Sequence, residues 1–85
     1  MARVTLYTRK NCPLCNEAAH LLRRLAPEFG LEVEEVDIEG DPALLERYGD
    51  SIPVIALHGE PALPAPLPET RLRAVLARHR RGHHR

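Results

Sequence analysis

Hydrophobic and polar residues alternate from Arg3 to Thr8, with Val4 and Leu6 set against Thr5 and Tyr7, the period of a strand with one buried face. After Asn11-Cys12-Pro13 the period changes. Leu14, Ala18, Leu21, Leu22 and Leu25 recur at helical spacing, with Asn16, His20, Arg23 and Arg24 on the opposite side. Pro13 suits the first helical position, where a missing N–H costs nothing, and Gly30 stops the helix. A second strand is expected over Glu32 to Ile38, with Val36 and Ile38 as its best core candidates. Asp41-Pro42 opens a short helix through Tyr48, ended by Gly49. Ile52 to Leu57 reads as a third strand beginning at Pro53. His58-Gly59-Glu60 turns into a fourth segment that holds Pro61, Pro64 and Pro66. Prolines cannot donate to a ladder, so this segment is expected at a sheet edge or as irregular chain. Leu72, Val75 and Leu76 mark a last helix.

The resulting order is β-α-β-α-β-β-α, an α/β fold. Its opening strand–helix–strand unit is expected to cross over right-handed and leave its strands parallel. With 85 residues, 44% of them hydrophobic, the chain has room for one core. A single domain is expected over residues 1–79, followed by a frayed basic tail over 80–85. Apolar runs such as Val54-Ile55-Ala56-Leu57 are too short to span a bilayer, and the first residues move directly into a strand pattern. A cytoplasmic protein without a membrane partner is therefore expected.

Charge sums to zero, with 12 basic and 12 acidic side chains, which argues against a nucleic-acid partner. Locally the balance is uneven. Nine acids lie between Glu28 and Asp50 against Arg47 alone, and six arginines and three histidines follow from Arg71 without an acid. Solvated faces of opposite sign account for this pattern. Phe29 and Tyr48 are read as core anchors, while Tyr7, ending a strand, suits either a core or a site.

The two cysteines, Cys12 and Cys15, enclose only Pro13 and Leu14. Such a pair can be a staple, half a metal site or a redox couple. As a staple it is poor, because so small a loop removes little chain entropy. Zinc wants four ligands and this pair supplies two, and the five histidines show no finger-like spacing, so no metal site is assigned. Cys12 falls at the expected N-cap of the first helix, among N–H groups without helical partners and at the positive end of the helix dipole. Arg9 and Lys10 add positive potential just upstream. Cys12 is thus the candidate nucleophile and Cys15 the resolving thiol. Lowering a thiol pKa from ~8.5 to ~6 raises the thiolate fraction at pH 7 about thirtyfold. Lost intrinsic nucleophilicity returns roughly ten- to eighteenfold of this, so the main effect falls on leaving-group quality and redox potential.

The segment Tyr7-Thr8-Arg9-Lys10-Asn11-Cys12-Pro13-Leu14-Cys15 resembles the active-site segment of glutaredoxins, in which C-P-x-C opens a helix after a strand. Val36-Asp37-Ile38, Asp41-Pro42, Tyr48-Gly49 and Ser51-Ile52-Pro53-Val54 follow in the order of that family's next landmarks, so the resemblance covers roughly residues 3 to 59. It implies a thioredoxin-like fold with a four-stranded mixed sheet of order 2-1-3-4. The third and fourth strands would run antiparallel to the first two, with helices on both faces. It also implies that Pro53 is cis, against the ordinary trans preference of X–Pro bonds. The backbone of Ile52 would then pair with an extended substrate, and Tyr7 and Arg9 would flank the cleft.

One stretch departs from the family. Where glutaredoxins carry a Gly-Gly pair that helps hold glutathione, this chain reads Glu60-Pro61-Ala62-Leu63-Pro64-Ala65-Pro66-Leu67-Pro68. Proline-rich backbone lacks the donors of an anion site, which counts against a glutathione pocket. The expectation is a monomeric thiol–disulfide oxidoreductase without a cofactor, acting in redox homeostasis and electron transport on protein or low-molecular-weight disulfides. Its reductant would be glutathione or a flavoprotein of the thioredoxin-reductase kind. The alternatives are a metal or iron–sulfur cluster carrier using the same cysteines, and a binding module without turnover.

Overall fold

A computed structural model describes residues 2–57, 63–64 and 68–83. Strand β1 (Ala2–Thr8) leads to helix α1 (Pro13–Leu25), which tightens into a 3-10 turn over Ala26–Phe29. Strand β2 (Leu31–Asp37), a second 3-10 turn (Ile38–Gly40) and helix α2 (Pro42–Tyr48) follow. Strands β3 (Val54–Leu57) and β4 (Leu63–Pro64) and helix α3 (Glu69–His83) complete the order. Each boundary has a local cause. Pro13 stands in the first turn of α1, and Gly30 ends the following turn at φ 70°, a left-handed conformation that glycine adopts without steric cost. The Asp41 side chain accepts from the N–H groups of Ala43 and Leu44 and so caps α2. Gly49 closes that helix in a right-handed conformation, and a Cβ there would meet the Leu45 carbonyl oxygen, which favours glycine at this position.

The sheet order is β2-β1-β3-β4. Its body is three strands: β1 runs parallel to β2, from Ala2↔Leu31 to Thr8↔Asp37, and antiparallel to β3, from Val4↔Leu57 to Tyr7↔Val54. The fourth position holds only Leu63 and Pro64, paired antiparallel with β3. Two reversals make β4 parallel to β1, which corrects the expectation that the fourth strand opposes the first two. A short β3–β4 connection must reverse the chain, and so sets this direction. The expected His58-Gly59-Glu60 turn, Pro61 and Pro66 lie outside the described residues.

The main core lies on one face, and Val54 and Ile38 are buried apart from it. Alternation along β1 sends Val4 and Leu6 to the side where Leu31, Ile55 and Leu57 also point, and Ala19, Leu22 and Leu25 of α1 and Leu72, Val75 and Leu76 of α3 pack there. Full burial of one such leucine is worth roughly 1.5–3 kcal/mol relative to its exposure. The buried stripe of α1 is Cys15-Ala19-Leu22-Leu25, one residue out of phase with the expected start at Leu14, which is 49% exposed. Phe29 packs half-buried at the margin. Ile38 is buried as expected, but Val36 is only half-buried, as is Val33 on the same edge strand. Helix α3 continues its backbone to His83, past Arg80 where fraying was expected. His79, one helical repeat beyond Leu72, is buried with the stripe.

Ion pairs bind the helices across the core's rim. Arg24 of α1 reaches Glu69 of α3 at 2.8 Å, and Arg73 bridges Glu69 at 3.1 Å and Glu28 at 2.8 Å. The Arg24 guanidinium, then that of Arg73, hold the Glu69 carboxyl below its ordinary pKa by hydrogen bonding to it. Arg23 pairs with Glu35 of β2. The opposite sheet face is thinner, and none of the residues of α2 is buried.

Candidate active site

Between β1 and α1 the chain turns through Arg9, Lys10 and Asn11. Asn11 adopts φ 58°, the left-handed region that a short polar side chain tolerates better than most. Cys12 is extended and serves as the N-cap of α1, and its carbonyl accepts the N–H of Asn16 at 3.0 Å. Its sulfur accepts from the Cys15 N–H at 3.2 Å, one of the donors that a helix start leaves without partners. The two cysteines form a disulfide with a Cα–Cα separation of 5.2 Å. Their surroundings differ: Cys15 is fully buried against the core, whereas Cys12 is partly open to solvent. An attacking group therefore meets the Cys12 sulfur first. Leu14, between them, turns its apolar side chain outward.

The neighbouring strand supports the same end of the sheet. Tyr7 pairs with Val54, so the residues just before β3, Ile52 and Pro53, lie at the end from which the cysteine loop emerges. The Ile52–Pro53 peptide bond is cis, and Pro53 is buried. The Ile52 N–H, however, donates to the Tyr48 carbonyl at 3.1 Å, and the Ser51 N–H donates to the same oxygen at 2.8 Å. The donor half of the expected strand pairing at Ile52 is thus already engaged within the chain.

Tyr48 holds this corner by its ring as well. It stacks on Tyr7 with centroids 4.6 Å apart and planes 25° from parallel, and the Arg47 guanidinium lies 5.9 Å from its centroid. The reading of Tyr48 as a core anchor is corrected: the ring is half-exposed and fastens α2 to the end of β1. Arg9 is also tied down. Its Nη2 and Nε donate to Glu39 Oε2 at 2.7 and 3.2 Å, so its charge is balanced locally rather than left to the thiol. Lys10 is exposed. The 30-residue separation of Arg9 from Glu39 and the missing periodicity between Tyr7 and Tyr48 hid both contacts from the sequence pattern. The burial of His79, by contrast, follows from its place at i+7 after Leu72.

Among the described residues no group of three or more His, Cys, Asp and Glu side chains is placed to hold a metal ion, and no helix is long and apolar enough to cross a membrane. Residues 3–77, which carry the C-P-x-C at the start of α1 and the cis Ile52–Pro53 bond, match the model of the glutaredoxin-like domain (DUF836) family. The chain belongs to this family. A relative of the glutaredoxin-like chain, an uncharacterized protein of Mycobacterium tuberculosis, is 35% identical over 81 residues, covering 89% of this chain and 84% of that protein. The crystal structure of the protein XcR50 from X. campestris superposes with a TM-score of 0.74 at 34% identity, over 86% of this chain and 93% of the other. Thioredoxin 1 of Thermosipho africanus shares the fold, with a TM-score of 0.73 at 12% identity over 98% of this chain and 99% of that one. The fold is thioredoxin-like α/β, and proteins built on it are commonly oxidoreductases.

Proposed function

We propose that this glutaredoxin-like chain is a dithiol–disulfide oxidoreductase whose nucleophile is Cys12. The observation that carries the reading is the unequal burial of the Cys12–Cys15 pair at the start of α1. In the reduced protein the Cys12 thiolate attacks one sulfur of a substrate disulfide. A Cys12–substrate bond forms, the substrate S–S bond breaks, and the departing thiolate takes a proton from water. Cys15 then loses its proton and attacks the Cys12 sulfur, closing the intramolecular disulfide and releasing the second substrate thiol. Two electrons pass from the dithiol to the substrate, and glutathione or a flavoprotein reductase returns them. Helix N-terminal N–H groups stabilise Cys12 as a thiolate, which makes it a good leaving group in the second step. In this reading Tyr7, Arg9, Lys10, Pro13, Ile52 and Pro53 support substrate binding, and protein or small disulfides are the substrates. We place this cycle in the cytoplasm, where a reductant is at hand.

Equilibration of the protein in glutathione buffers, quenched by alkylation and read by intact mass, tests the proposal. The expected result is an intramolecular disulfide titrating within about −180 to −270 mV, the range of known oxidoreductases. A pair that stays reduced throughout, or is shielded by co-purified metal, would sink the proposal and favour the carrier alternative. Cys12→Ser should abolish disulfide exchange. Cys15→Ser should retain the first attack and accumulate the mixed disulfide, visible as a mass adduct on Cys12.

A further inference from the structure

Thr8 pairs with Asp37 at the end of the β1–β2 ladder, which sets the Arg9–Glu39 pair at the sheet end from which the cysteine loop emerges. Both side chains are substantially exposed, at 39% for Arg9 and 46% for Glu39, and an exposed pair of this kind adds little to stability. Yet Glu39 is held deliberately in place. It belongs to the 3-10 turn Ile38–Gly40, whose N-cap Asp37 accepts the Glu39 N–H at 2.9 Å, and Ile38 anchors that turn in the interior. From this fixed turn one carboxylate oxygen takes two donors of the Arg9 guanidinium.

Arg9 precedes Cys12 by three residues, so their Cα atoms lie within about 11 Å by chain length alone. That is comparable to the ~8–10 Å screening length at moderate ionic strength. At about 0.01 M ionic strength the screening length is ~30 Å, so a charged molecule arriving at Cys12 feels the charges of both Arg9 and Glu39. An unpaired Arg9 would draw in anionic disulfides. The paired one presents a near-neutral approach and has its fork already filled by a carboxylate.

We infer that Glu39 is a specificity-determining residue: by occupying Arg9 it sets the site against anionic small disulfides and in favour of neutral or cationic ones, including disulfides in basic protein segments. This rests on the oxidoreductase reading above and names the substrate class of that same site. Glu39 touches neither cysteine. It acts through Arg9 on which substrates reach them.

Glu39→Gln keeps an oxygen that can accept from Arg9 while removing the negative charge. Arg9→Gln leaves that charge and removes the positive one. The pre-reduced protein is mixed with doubly anionic glutathione disulfide, with neutral 2-hydroxyethyl disulfide or with doubly cationic cystamine, then quenched by alkylation to give second-order rates. At low ionic strength the ratio of anionic to cationic rates should rise about three- to tenfold in Glu39→Gln and fall by a similar factor in Arg9→Gln. Both ratios should return towards the parent value in 1 M salt. A ratio unchanged in both variants, or a change that persists in 1 M salt, would overturn the inference. Failure of the parent protein to reduce the neutral disulfide would instead overturn the oxidoreductase reading itself, so the two failures are distinct.

Discussion

The two faces of the sheet are built on different terms. Beneath α1 and α3, strands β1, β2 and β3 contribute buried aliphatic side chains, and Val4, Leu6, Leu22, Leu25 and Leu76 are fully enclosed. On the other face α2 buries none of its residues and meets the sheet through the Tyr7–Tyr48 stack, beside the buried Val54 of β3, while the Tyr48 carbonyl holds the loop that follows. The first face supplies stability through area removed from water, a diffuse force spread over many side chains. The second relies on a few specific contacts, and those contacts border the cysteine loop and Ile52. Cys12 and Cys15 lie at the seam, with Cys15 committed to the packed face and Cys12 open to solvent. The proposed exchange needs one thiol held and one reachable, and the unequal burial of the two cysteines fits that need.

That contrast can be broken most forcefully at Leu22. Leu22→Ala should cost about 2–5 kcal/mol, read as a lower urea midpoint, because a fully buried leucine leaves a cavity behind. In a domain of this size such a loss takes a large share of the total stability. Tyr48→Leu probes the thin face and should cost about 0.5–1.5 kcal/mol, the worth of an aromatic pair beyond area burial. Faster hydrogen exchange confined to α2 amides is the expected companion. A midpoint shift as large as that of Leu22→Ala would erase the distinction between the faces.

Acidity sharpens the comparison on the packed side. Hydrogen bonds from Arg24 and Arg73 lower the Glu69 pKa from its ordinary 4.5, so the unfolded chain binds more protons there than the folded one as pH falls. The contribution of Glu69 is therefore complete above the ordinary carboxylate range and is lost as pH falls through the depressed folded value. Glu69→Gln should show a small deficit in urea midpoint at neutral pH that closes below about pH 4.5. A deficit independent of pH would assign its cause to packing. The smallest effect is expected from Leu45→Ala. This exposed residue of α2 should change the urea midpoint by less than about 0.5 kcal/mol, although it is also a leucine on a helix.

Much of this was legible from local chemistry. Alternation in β1, the proline and glycine punctuation of α1 and α2, and the Asp41 cap are decided by residues close in sequence. The resemblance to glutaredoxins carried the cis Ile52–Pro53 bond and the strand order as far as the two-residue β4. Other features escaped. Leu14 matched the helical stripe by spacing, but the inward position of the first turn of α1 fell to Cys15, and Leu14 lies on its exposed side. Val36 has the composition of a core residue, yet it stands on the edge strand β2 and is only half-buried.

The sequence by itself determined where chain direction changes, which residues have helical or extended periodicity, and that two cysteines stand at a helix start. These follow from backbone sterics, missing or available donors and side-chain period, all of them short-range. Only tertiary structure decided that one sheet face would be sealed and the other lightly tethered. It also decided that Tyr48 would hold Tyr7 and the Ile52 N–H, and that Glu39 would claim the Arg9 guanidinium. Those outcomes depend on distant segments meeting once the sheet has formed, and no local pattern encodes a meeting across 30 or 40 residues.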